Sequence, residues 1–155
     1  MDDRKNGYWR AGARYLPEAY PDPDEEGLLK KRDYLMARTP VTEIYDEPAF
    51  DYVMIKTTEG VLRERGGSLY LATNRFWRAG ARIADYSYVV SVVDQVVQRV
   101  YRVDTWFRFA DGRYEGRWGF FAKEAEGDEV RAMLGKRIPE CYRMPGNANP
   151  VLYKR

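Results

Sequence analysis

The chain contains no histidine. That absence excludes Ser-His and Cys-His nucleophile pairs, HNH-type nuclease chemistry and every zinc site that depends on imidazole. A single cysteine, Cys141, cannot close an intrachain disulfide or supply a thiolate cluster, so a reducing, cytoplasmic setting is expected. No apolar run approaches the roughly 18 residues that a membrane-spanning helix needs. The opening MDDRKNGYWR places acids and bases where a signal peptide would carry its apolar stretch, so neither export nor membrane insertion is expected. Charge of one sign is lacking as well: 26 Lys+Arg against 24 Asp+Glu leave +2, and the whole-chain charge does not announce a nucleic-acid binder.

What is present is 155 residues, 45% hydrophobic and 15% aromatic, enough for one globular domain with an extension. The charge is unevenly placed. Residues 1–50 hold 8 basic and 11 acidic side chains, whereas residues 51–155 hold 18 and 13, so the second part carries +5. The run YLPEAYPDPDEEG, with three prolines and five acids, has little to bury and reads as an extended arm. LLKKRDYLMARTP from Leu28 has partial helical periodicity until Pro40. These segments define an acidic N-terminal arm with a short helix over 1–45, followed by one domain over 46–155.

Within the domain, FDYVMIKT alternates as a strand, with Tyr52, Met54 and Lys56 on one side and Val53 and Ile55 on the other. RERGGSLYLATNRFWRAG predicts a three-turn helix, capped by Ser68 and stopped at Gly80. Two valine-rich runs around Asp94 and Gln95 predict an antiparallel pair with a tight turn. ADGRYEG reads as a loop, RWGFFAKE as a strand, GDEVRAML as a helix capped by Asp128 and ended by Gly135, and NPVLYKR as a closing strand. The hexapeptide WRAGAR occurs twice, at 9–14 and 77–82. One reading is that the N-terminal copy mimics the internal one, in its own pocket or on a neighbouring chain; the other is coincidence in a composition rich in Arg, Ala and Gly.

Aromatic and basic residues interleave through Trp106, Phe107, Arg108 and Phe109, then Arg113, Tyr114, Arg117, Trp118, Phe120 and Phe121. If Trp106 and Trp118 face a groove, they supply π-faces for a base and the arginines supply phosphate contacts. If they face inward, they are core aromatics of a small domain. On the predicted helix, Arg75 and Arg78 are three apart and, with Asn74, Trp77 and Arg82, form the densest basic patch. Lys136 follows a predicted helix end. Asn149, in PGNANP, offers either a base-edge reader or ordinary turn chemistry. The acids Asp22, Asp24, Glu25 and Glu26 with Lys30 superficially resemble a metal-dependent nuclease motif, although prolines break the run where such carboxylates need adjacent strands. No metal site and no cofactor is expected.

From Tyr52 to Tyr153 the chain resembles a bacterial domain associated with GIY-YIG-type nuclease modules and with restriction or mobile-element proteins. The resemblance lies in VMIK (53–56), LYLATNRFW (69–77), YVVSVVDQVVQRVYRVDTW (88–106), GRWGFFAKEA (116–125), LGKRIP (134–139) and GNANPVLY (146–153). In that pattern arginine follows threonine directly, whereas here Asn74 intervenes between Thr73 and Arg75; Gln95 replaces the expected turn glycine, and no GIY and YIG strand pair is present. By analogy with the PUA-like superfamily, the resemblance implies an α+β fold, either a curled, mostly antiparallel sheet or a small PUA-like β-barrel with two or three short helices. The leading expectation is a non-catalytic recognition module for nucleic acid or a modified base or nucleotide. Trp77, Trp106 and Trp118 would stack, while Asn74, Arg75, Arg78, Arg108, Lys136 and Asn149 would contact phosphate or base edges. The alternatives are a small histidine-free Mg-dependent nuclease or nucleotide hydrolase of a defence or mobile-element system, and a protein-protein interaction or inhibitor domain that self-associates through its arm.

Overall fold

The computed structural model describes residues 42–64, 69–143 and 149–155, together with the backbone of residues 9–10 and 13–16. The predicted helix from Leu28, the acidic run at 22–30 and the Ser68 cap lie outside the described residues. Where the sequence alternates, the backbone pairs. β3 (Val53–Thr57), β4 (Tyr88–Val93), β5 (Val96–Phe109), β6 (Trp118–Glu124) and β7 (Val151–Tyr153) form a mixed five-stranded sheet. Two short strands, β1 (Trp9–Arg10) and β2 (Ala13–Leu16), extend it at the edge. Three short helices, α1 (Glu59–Glu64), α2 (Leu69–Thr73) and α3 (Asp128–Met133), complete the α+β architecture. No helix among the described residues is long and apolar enough to cross a membrane.

The path runs β1-β2-β5-β4-β3-β7, with β6 branching from β5. It is open, so the barrel alternative is not realised. β3 and β4 are parallel, which requires a crossover, and α1, α2 and a 3-10 turn at Ala81–Asp85 occupy it. β5 is the spine. Its first half pairs with β4, while residues Tyr101–Arg108 pair with β6 on one edge and Trp106–Phe109 pair, in parallel, with Ala13–Leu16 of β2 on the other. Register shifts at Ser91/Val92 and Val103/Thr105 bend these strands and curl the sheet.

Both faces of the sheet are covered. Val53, Ile55, Val89, Tyr101, Trp106 and Phe120 pack with Tyr70, Leu71 and Ile83 on one face. Tyr52, Met54, Val90, Val92 and Val97 pack with Val130 and Met133 of α3, Ile138 and Tyr142 on the other. Each such side chain removed from water contributes roughly 1.5–3 kcal/mol of transfer free energy, which explains why alternation separates the faces of β3 without leaving either one wet.

Two expectations about the elements are corrected. The predicted three-turn helix stops after Thr73, because Phe76 takes a left-handed φ of 73° and Trp77 then pairs as an extended residue with Trp118, N to O at 3.0 and 2.8 Å. Asp128 does not cap α3: Gly127 occupies that position without a side-chain hydrogen bond, and Asp128 lies in the first turn, where the helix dipole favours an acid. The Asp94-Gln95 turn stands as expected. Both residues have positive φ, 48° and 71°, as a two-residue turn between twisted strands requires.

Candidate functional site

The extended segment after α2 and the connection between β5 and β6 meet at one end of the sheet. That connection folds back tightly: Gly116 N–H donates to Phe109 O at 2.8 Å, Arg117 N–H to Tyr114 O at 2.9 Å and Phe109 N–H to Arg117 O at 3.0 Å. Gly116, with φ 81°, permits the reversal. The strained φ of Phe76 sets its ring against Tyr114, with centroids 3.9 Å apart and planes 25° apart, and against Phe109 at 5.2 Å. The Arg113 and Arg117 guanidinium carbons lie 5.2 and 5.1 Å from the Tyr114 ring centroid. A Phe-Tyr stack therefore props up two cations.

Arg78 completes the arrangement from the other segment. Arg78, Ala79, Arg113, Glu115, Gly116 and Arg117 line an open cleft of about 310 Å³. Beside it, Arg108 Nε donates to Gly116 O at 3.2 Å, and its guanidinium carbon lies 5.1 Å from the Trp118 ring centroid. Neither Arg78 nor Arg117 forms an ion pair among the described residues. Among the described residues the lining holds one carboxylate, of Glu115, and three guanidinium groups, of Arg78, Arg113 and Arg117. Their planar forks match phosphate oxygens.

The structure separates the sequence-predicted residues. Arg78 and Arg108 are at the cleft. Arg75 does not line the cleft; its Nε donates to Asn74 Oδ1 at 2.8 Å, and its guanidinium carbon lies 5.9 Å from the Phe76 ring centroid. Asn74 is 0% exposed and donates from Nδ2 to Phe120 O at 3.2 Å, so it fastens the segment to β6. Trp106 and Trp118, 3% and 1% exposed, are core residues whose indole N–H groups donate to Tyr86 O at 2.8 Å and Ala79 O at 3.0 Å. They present no free face for stacking. Trp77 is half-buried, and its Nε1 donates to Thr73 O at 2.6 Å. Lys136 pairs with Glu43, and its backbone carbonyl accepts Val97 N–H at the start of β5 at 2.9 Å. Asn149 is exposed and accepts Val151 N–H on its Oδ1 at 3.0 Å, the turn chemistry already weighed for it. Arg113 and Arg117 stood in the aromatic-basic run but not among the residues chosen as contacts; the signal in the sequence is GRYEGR, two arginines that each follow a glycine.

A second polar cluster lies on the α3 side. The Tyr52 hydroxyl donates to the Glu47 carboxylate at 2.9 Å and lies 2.8 Å from the Tyr45 hydroxyl and 3.2 Å from that of Tyr142. Burial, the largest cause in each case, pushes all three phenols above the ordinary tyrosine range. Held neutral, they tie the segment before β3 to the 3-10 turn at Glu140–Tyr142 and are poor nucleophiles. Lys154 Nζ, donating to Pro48 O at 2.6 Å and Phe50 O at 3.0 Å, closes the same corner.

The site thus belongs to an α+β protein with a curled mixed sheet and an arginine-lined cleft at one end. In comparisons with known proteins, the chain matches no family model, no curated protein and no solved structure. The likeness to the nuclease-associated domain rests on its motifs alone.

Proposed function

We propose that the protein is a non-catalytic nucleic-acid-binding module whose cleft grips the phosphate backbone. One observation carries the reading: Arg78 from the segment after α2 converges with Arg113 and Arg117 from the β5–β6 connection. Among the described residues the lining contains no aromatic side chain, which favours a phosphate over a base as the group held there. The resemblance to a domain that accompanies nucleases agrees with this reading.

The test is a titration of labelled DNA and RNA oligonucleotides at several salt concentrations. Affinity is expected to fall with salt, and Arg78→Glu and Arg117→Glu are each expected to weaken binding about tenfold or more and to reduce the salt slope by about 1. Salt-independent affinity, or wild-type affinity in both variants, overturns the proposal. Running the samples with Mg²⁺ on a denaturing gel distinguishes the enzyme alternative, since cleaved oligonucleotide would replace a recognition module with a nuclease.

A further inference from the structure

We propose that the cleft is one end of a path for single-stranded nucleic acid, and that the exposed guanidinium of Arg82, seated on Tyr153, is a base-stacking surface at the other end. The inference rests on the phosphate reading above and adds the class of nucleic acid.

The internal WRAGAR hexapeptide links the two points. Trp77 anchors its start on β6, Arg78 enters the cleft, and after Gly80 the chain turns into the 3-10 segment that carries Arg82. The Arg82 guanidinium carbon lies 4.2 Å from the Tyr153 ring centroid and 5.8 Å from that of Tyr86, and Nη2 donates to the Tyr86 hydroxyl at 2.9 Å. The two rings are 5.1 Å apart. Arg82 is exposed and has no carboxylate partner among the described residues; even Asp85, in the same turn, forms no pair with it.

The support beneath it is rigid. Tyr86 presents its carbonyl to the buried Trp106 indole at 2.8 Å, and Tyr153 lies in β7, paired with Val53. A planar cation fixed by a ring below and a hydroxyl at its side has already lost its rotamer freedom, so a base stacking on it pays little further ordering entropy. A base can do so only when it is unstacked from its neighbours, which a single strand permits and an intact duplex does not. Arg78 and Arg82 are four positions apart, so their Cα atoms lie at most about 14 Å from each other. A strand of a few nucleotides bridges that distance.

The experiment compares a short oligothymidylate, an abasic oligomer with the same number of phosphates, and a duplex of equal length, by fluorescence anisotropy at two salt concentrations. Arg82→Lys keeps the charge and removes the plane, and its melting temperature, measured beside that of the wild type, checks that the fold is kept. It is expected to weaken oligothymidylate binding about five- to tenfold while leaving the abasic oligomer, the duplex and the salt slope unchanged. Arg78→Glu is expected to weaken all three. Wild-type oligothymidylate affinity in Arg82→Lys, with Arg78→Glu still impaired, overturns the single-strand path and leaves the phosphate reading standing. Absence of salt-sensitive binding by the wild-type protein overturns both.

Discussion

Gly119 has no room for a methyl group. A Cβ there would lie 2.4 Å from Phe107 Cζ and 2.6 Å from Asn74 O, because the segment after α2 runs hard against β6. Gly119→Ala is expected to cost about 2–3 kcal/mol, as overpacking of a filled core does, and urea unfolding measures it. The tyrosine cluster at Tyr45, Tyr52 and Tyr142 makes a different prediction. Each phenol titrates higher in the folded chain than the ordinary 10.0. Their contribution to stability is therefore complete below that value and is lost as pH rises beyond it. The melting temperature should stay level between about pH 7 and 9 and fall above about pH 10. Tyr52→Phe should melt lower at neutral pH but show a shallower alkaline decline. At this scale the sequence reveals residue types without their surroundings. Alternation put Trp106 and Arg108 on one face of a strand, yet the indole is buried and the guanidinium lies beside the cleft, a difference set by what packs across from each.

Elements were legible where local pattern and tertiary pairing agree. The strands at VMIK and at the valine runs, and the turn between the latter, follow directly from β-branched alternation. Asp94-Gln95 succeeds without glycine because Gln95 is held from outside: Arg137 Nη2 donates to its Oε1 at 2.9 Å, and Ile138 N–H to its carbonyl at 3.0 Å. Gln95→Gly relieves the left-handed strain and gives up an exposed hydrogen bond, so a net stabilisation of about 0.5–1 kcal/mol is expected in thermal or urea unfolding. The helix through NRFWRAG was not legible as it is. Its apolar spacing fits a helix, but backbone pairing between Trp77 and Trp118, forty-one positions apart, overrides it, and no local signal contains that information. α1 escaped notice for the opposite reason: six residues with only Leu62 buried leave too short a pattern to read.

For the molecule as a whole, the basic excess of residues 51–155 lies in the part of the chain that lines the cleft. Arg78 and Arg108 were identifiable from it, whereas their union with Arg113 and Arg117 depends on the sheet bringing two distant segments to one end. The absence of histidine now has a functional corollary. Arginine stays charged and phosphodiesters stay ionised throughout the neutral range, so oligonucleotide affinity is expected to be level from about pH 6 to about 9 at fixed salt. A step near neutrality in the anisotropy titration would mean that some other group controls the site.

The burial of two indoles also makes the protein its own optical gauge. Trp106 and Trp118, sealed beneath the sheet with their N–H groups satisfied, should emit at short wavelength and resist a dissolved quencher until the chain unfolds. Trp77, half-buried and next in sequence to Arg78, is placed to register occupation of the cleft. With the fourth tryptophan removed, as in Trp9→Phe, a single emission spectrum can therefore distinguish a ligand that has arrived from a fold that has been lost.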